Sequence, residues 1–75
     1  MSKAGYKILL FDGTQRALRA ERLLLAQDLS VTTIPVPRHL SSDCGIAIRF
    51  ESSAEPVVLQ TLADNNLTPR GVHPL

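Results

Sequence analysis

The sequence predicts an α+β chain in which strands and helices follow one another as βαββαβ, and three observations predict it. Short runs of β-branched, aliphatic and aromatic residues alternate with two runs of helix formers. Gly, Asn, Asp and Pro punctuate the junctions. The prolines fall in or beside the second strand (Pro35, Pro37) and the fourth (Pro69, Pro74), and the first and third strands have none. Proline cannot donate a ladder hydrogen bond, so it belongs on edge strands. Strands one and three are then central. The expected architecture is a ferredoxin-like sandwich, antiparallel in the order 4-1-3-2, with both helices on one face.

Tyr6 to Phe11, YKILLF, is the first strand, closed by the turn signal Asp12-Gly13. Thr14 is placed to cap the first helix with its hydroxyl. TQRALRAERLLLAQDL then puts Ala17, Ala20, Leu24 and Leu25 on one helix face with Leu18 at its edge, ending around Asp28 to Ser30. Val31 to Val36 is a short β-branched strand, followed by a polar loop over residues 37–43. Gly45 to Phe50 alternates, with Ile46, Ile48 and Phe50 on one face and Gly45, Ala47 and Arg49 on the other. Ser52 or Ser53 is expected to cap the second helix, with Pro56 tolerated in its first turn. Val58, Leu59, Leu62 and Ala63 form its apolar stripe, and Asn65-Asn66 suits its C-terminus. LTPRGVHPL supplies the last strand. Leu9 and Phe11 are expected to join Ala47 on the face without helices, an apolar patch that a second copy or a partner would cover.

Size and composition restrict the function. Seventy-five residues make one domain, 1–75, with 1–5 read as a flexible N-terminus. A domain of this size buries only about 60% of the surface its unfolded chain exposes, so its core must be compact. One cysteine excludes a disulfide framework, and no zinc-ligand spacing exists. No metal and no cofactor are expected. A net charge of +1 gives no case for nucleic acid or an anionic membrane surface. No apolar run is long enough to span a bilayer. MSKAGYK lacks the apolar segment of a secretion signal, and a lone thiol suits a reducing compartment, so a cytoplasmic location is expected.

The stretch that carries chemistry is PVPRHLSSDCGIAIRF, residues 35–50, which holds the single cysteine, Cys44. In a 4-1-3-2 sheet the connection between strands two and three sits where strand one enters the first helix. Cys44 is therefore expected near that helix N-terminus, on the face of Ile46, Ile48 and Phe50. Unpaired N–H groups and the helix dipole there favour thiolate, the nucleophilic form. Arg38 and His39 add positive potential, and Asp43 opposes it. The competing reading is a buried, inert cysteine acting as a small hydrophobe.

IPVPRHLSSDCGIAIRF resembles the signature of the selenium/sulfur carrier-like proteins, a family of short domains, and KILLFDGTQRALRAERLL is similar to the family's opening. The resemblance implies a carrier rather than an enzyme with turnover of its own. Cys44 would accept a sulfane sulfur or selenium as a persulfide or perselenide and pass it on. Implied partners are a cysteine desulfurase or similar donor and an acceptor protein or enzyme. The positions that carry over are Pro37, Arg38, Ser41, Ser42, Asp43, Cys44, Gly45 and Arg49. Of these, Ser41, Ser42 and the N–H groups around Gly45 are placed to hydrogen-bond a terminal sulfur anion, and Gly45 allows close approach.

The residues alone also suit other readings. The same strand order with an open apolar sheet face also suits an ACT-like small-molecule-binding or regulatory module in which Cys44 is structural. Glu21 interrupts the apolar face of the first helix, either at its rim beside Arg38 or Lys7 or as a buried carboxylate orienting the loop. Arg16, Arg19 and Arg22 form a basic stripe that is either solvated or a dock for an acidic donor. Cys44-x4-Arg49 is one residue short of a phosphatase loop and lies on a strand. An RNA-binding sheet would need aromatics on its central strands, where this chain offers Gly45, Ala47 and Arg49.

Overall fold

The computed structural model describes residues 5–37, 40 and 45–75. β1 (Tyr6–Leu10) leads into α1 (Thr14–Leu25), and β2 (Val31–Pro35) and β3 (Ile46–Glu51) follow. A 3-10 turn (Ser52–Ala54) opens into α2 (Glu55–Asp64), and β4 (Gly71–Pro74) closes the sheet. The strand order is β2-β3-β1-β4, the expected 4-1-3-2 read from the opposite edge. All pairings are antiparallel, which is compatible with a ferredoxin-like arrangement. Pro35 and Pro74 lie on the two edge strands, as their missing N–H requires.

Both helices pack on one face of the sheet. Leu9, Phe11, Ile48 and Phe50 meet Ala17, Ala20 and Leu24 of α1, Val58 and Leu62 of α2, and Leu67 in one buried cluster. Here the register corrects the reading of β1. Leu9 lies opposite Ile48 and Ile8 opposite Arg49, so Leu9 and Phe11 belong to the helix-covered face. Ile8 and Leu10 share the other face with Ala47. That face is not an open patch either. Ile8 and Ala47 are fully buried and Leu10 is 4% exposed, with Ile34, Val36 and Leu40 packed against them.

The helix ends differ from expectation at their starts; at the stops α2 agrees, while α1 ends at Leu25, short of the expected Asp28 to Ser30. Gly13, in extended backbone, occupies the N-cap of α1, and Thr14 is the first helical residue. Neither Ser52 nor Ser53 caps α2. They form the 3-10 turn before it, Ala54 takes the cap position, and Pro56 sits in the first turn. At the stops the two helices repeat one device. The N–H of Leu29 donates to Leu24 O (3.2 Å) and that of Asp28 to Leu25 O (3.0 Å). Leu67 donates to Leu62 O (2.9 Å) and Asn66 to Ala63 O (3.1 Å) in the same pattern. Asp28 (φ 62°) and Asn66 (φ 56°) hold the left-handed position this motif needs. Asn65 adds a side-chain bond from Nδ2 to Thr61 O.

Two further positions are corrected. Leu25 is 48% exposed, because it lies about 100° around the helix from Leu24. Ala63 is exposed while Thr61 is buried. Gly5 is tied down, its carbonyl accepting from the Ser52 N–H at 2.9 Å.

Candidate functional site

The candidate site is the connection between β2 and β3. It leaves the sheet at the end where β1 runs toward α1, as the strand order dictates. Its base is closed by a hydrogen bond from the Val36 N–H to Gly45 O, 3.3 Å. Gly45 has φ +75°, in the left-handed region where a side chain is strained. A Cβ built there would meet nothing within 4 Å, so the backbone angle, and not crowding, is what asks for glycine. Gly45 is exposed.

Within the connection, the Leu40 N–H donates to Pro37 O at 2.9 Å, a tight turn. The Leu40 side chain packs with Ile34 and Val36 against Ile8, Leu10 and Ala47. The connection therefore rests on the helix-free face of the sheet. Leu40 is the residue that reading the sequence missed. Its signal was available: a single large apolar side chain inside a polar loop, which costs free energy unless it is buried somewhere.

Cys44, Arg38, His39, Ser41, Ser42 and Asp43 lie outside the described residues. β3 begins at Ile46, and the left-handed Gly45 interrupts the pleat. The alternating pleat runs from Ile46 onward.

The remaining candidate residues separate. Arg49 stands on the helix-free face with its guanidinium carbon 4.9 Å from the centre of the Tyr6 ring, a cation–π pair. Glu21 is half-buried on α1. Lys7 is engaged elsewhere, in a part-buried ion pair with Glu55 in the first turn of α2, where the helix dipole also favours the carboxylate. Arg70 and Asp12 approach to 4.0 Å with both side chains largely exposed, a contact worth little. The His73 ring covers Gly71, where a Cβ would come within 2.9 Å of Nε2. Among the described residues no group of three or more His, Cys, Asp or Glu is arranged to hold a metal ion. No described helix is long and apolar enough to cross a membrane.

A family model described as "Putative Se/S carrier protein-like" matches residues 6–74. The chain belongs to that family. No curated protein and no solved structure matches it.

Proposed function

We propose that this member of the Se/S carrier-like family carries a sulfane sulfur or selenium atom on Cys44. The observation that carries the reading is the family match, which spans residues 6–74 and encloses the only cysteine of the chain. Gly45 supports it, because the residue next to the thiol is exposed and has no side chain to obstruct an incoming sulfur.

The transfer needs no oxidant. The Cys44 thiolate attacks the outer sulfur of a donor persulfide, R–S–SH. A new S–S bond forms to Cys44, the donor S–S bond breaks, and the donor sulfur leaves as thiolate. The acceptor's nucleophile then attacks the outer sulfur held on Cys44, whose thiolate is the second leaving group. Selenium follows the same course as a perselenide. The donor by this chemistry is a cysteine desulfurase or a similar persulfide-forming enzyme, and the acceptor is a second protein or enzyme. Arg38, Ser41, Ser42 and Asp43 surround the thiol in sequence, and the two serines are assigned to hydrogen-bond the terminal sulfur anion.

Incubation with a cysteine desulfurase and cysteine, followed by intact mass measurement, tests the reading. A gain of one sulfur mass is expected, lost in Cys44→Ser. An unmodified thiol under conditions that load another carrier would overturn it. An ACT-like regulatory module would need an open apolar sheet face beside the shared strand order, and the apolar residues of that face are buried.

A further inference from the structure

Two large apolar side chains of α1 face water along one seam. Leu18 is 39% exposed and Leu25 48%. Seven residues apart, they lie about 10 Å from each other along the helix and within about 20° of one line. That line runs about a third of a turn round the helix from the buried stripe of Ala17, Ala20 and Leu24. A single exposed leucine is ordinary surface. Here Glu21 and Arg22 stand between the two, each three or four residues from both leucines and on opposite sides of their line. Glu21 is half-buried and Arg22 exposed. Neither belongs to an ion pair among the described residues, where the pairs are Lys7–Glu55 and Arg70–Asp12.

We infer that this seam docks a second copy of the chain, with the two α1 helices side by side and parallel. Charge complementarity selects both the occupant and the direction. The seam is neutral, with an acid on one flank and a base on the other, so its own two-fold copy answers it without a second sequence. With the two-fold axis along the helices, Leu18 meets Leu18 and Leu25 meets Leu25 of the second copy, and Glu21 of each meets Arg22 of the other. An antiparallel pair would set Glu21 against Glu21 and Arg22 against Arg22, which costs free energy. The helix-free face of the sheet is the poorer route to a dimer, because Ile8, Leu10 and Ala47 are already buried. α1 has 12 residues and is about 18 Å long, so the contact is small and the dimer weak, with a dissociation constant on the order of 0.1 mM. Parallel pairing brings both β2–β3 connections to one end of the dimer, since each leaves its sheet where β1 runs toward α1. Docking does not depend on chemistry at Cys44, and the two can fail separately.

Sedimentation and ¹⁵N-amide shifts of the full chain, followed between about 10 μM and about 1 mM, test the pairing. The mass is expected to rise toward twice the monomer's, with shifts centred on α1 from Leu18 to Leu25. L18Q and L25Q should each weaken association about tenfold. E21R sets cation against cation and R22E sets anion against anion, so each alone should weaken it about fivefold. Mixed with one another, E21R and R22E should associate at least as tightly as the parent, because every flank then joins opposite charges. Thermal melts check that each variant folds, and L18Q and L25Q complete the test if a charge variant unfolds. A monomer at about 1 mM, which would leave the seam to some other protein, overturns the inference. So do shifts mapping to the sheet or α2, charge variants that associate like the parent, or a mixture no tighter than either variant alone.

Discussion

The two faces of the sheet are closed by different means. On one, α1 and α2 lay Ala17, Ala20, Leu24, Val58 and Leu62 over Leu9, Ile48 and Phe50. On the other, three buried residues, Ile8, Leu10 and Ala47, are covered with the help of the connection that carries the candidate site, through Val36 and Leu40. The first face is held by regular structure and is indifferent to the site. The second links the packing of the central strands to the segment next to Cys44. In a domain that buries a modest share of its surface, the site's own loop here serves as part of the core.

The largest test of this difference is Phe50→Ala. It removes a fully packed ring from the helix-covered face and should cost about 3–5 kcal/mol, most of the stability of a domain this size. Urea unfolding would show a lost or nearly lost transition. Leu40→Ala should cost less, about 1–2 kcal/mol, because Leu40 is only half-buried. Its partners sharpen the comparison. Combined with Ile34→Ala it should be non-additive, since both pack on Ile8, Leu10 and Ala47, whereas combined with Leu24→Ala the two losses should simply sum. Equal additivity in both pairs would show that the connection is not part of the second cluster. The smallest effect is expected for Gly45→Ala, about 1 kcal/mol from the left-handed backbone alone, with no change in either cluster. A null result in the melting curve would mean that the backbone at residue 45 relaxes freely.

Much of this arrangement is legible in the sequence, for identifiable reasons. The strand order follows from four prolines, because a missing N–H is a property of the residue and not of its surroundings. The stop of α2 follows from Asn65-Asn66 for a similar local reason. The facing of β1 was not legible. Ile8, Leu9, Leu10 and Phe11 are all at most 4% exposed, so a strand buried on both sides offers no polar alternation to mark which side is which. Only its register with β3 decides. Leu25 was misplaced for a related reason: three consecutive leucines, 23 to 25, cannot all face one way on a helix. At the site, kinship with the family was legible and the match over residues 6–74 bears it out, but the role of Leu40 depends on a long-range contact with β1 and β3 that no local pattern contains.

The prolines on the outer strands have a consequence for how the molecule can be recognised. Both edge strands are short, five and four residues, and each carries a residue with no amide hydrogen to offer. An incoming chain that tried to extend the sheet would find a broken row of donors on either side. Self-propagating stacking is discouraged by the same defect. The edges of the sheet are thus the poorer handle for recognition, and the side chains the better one.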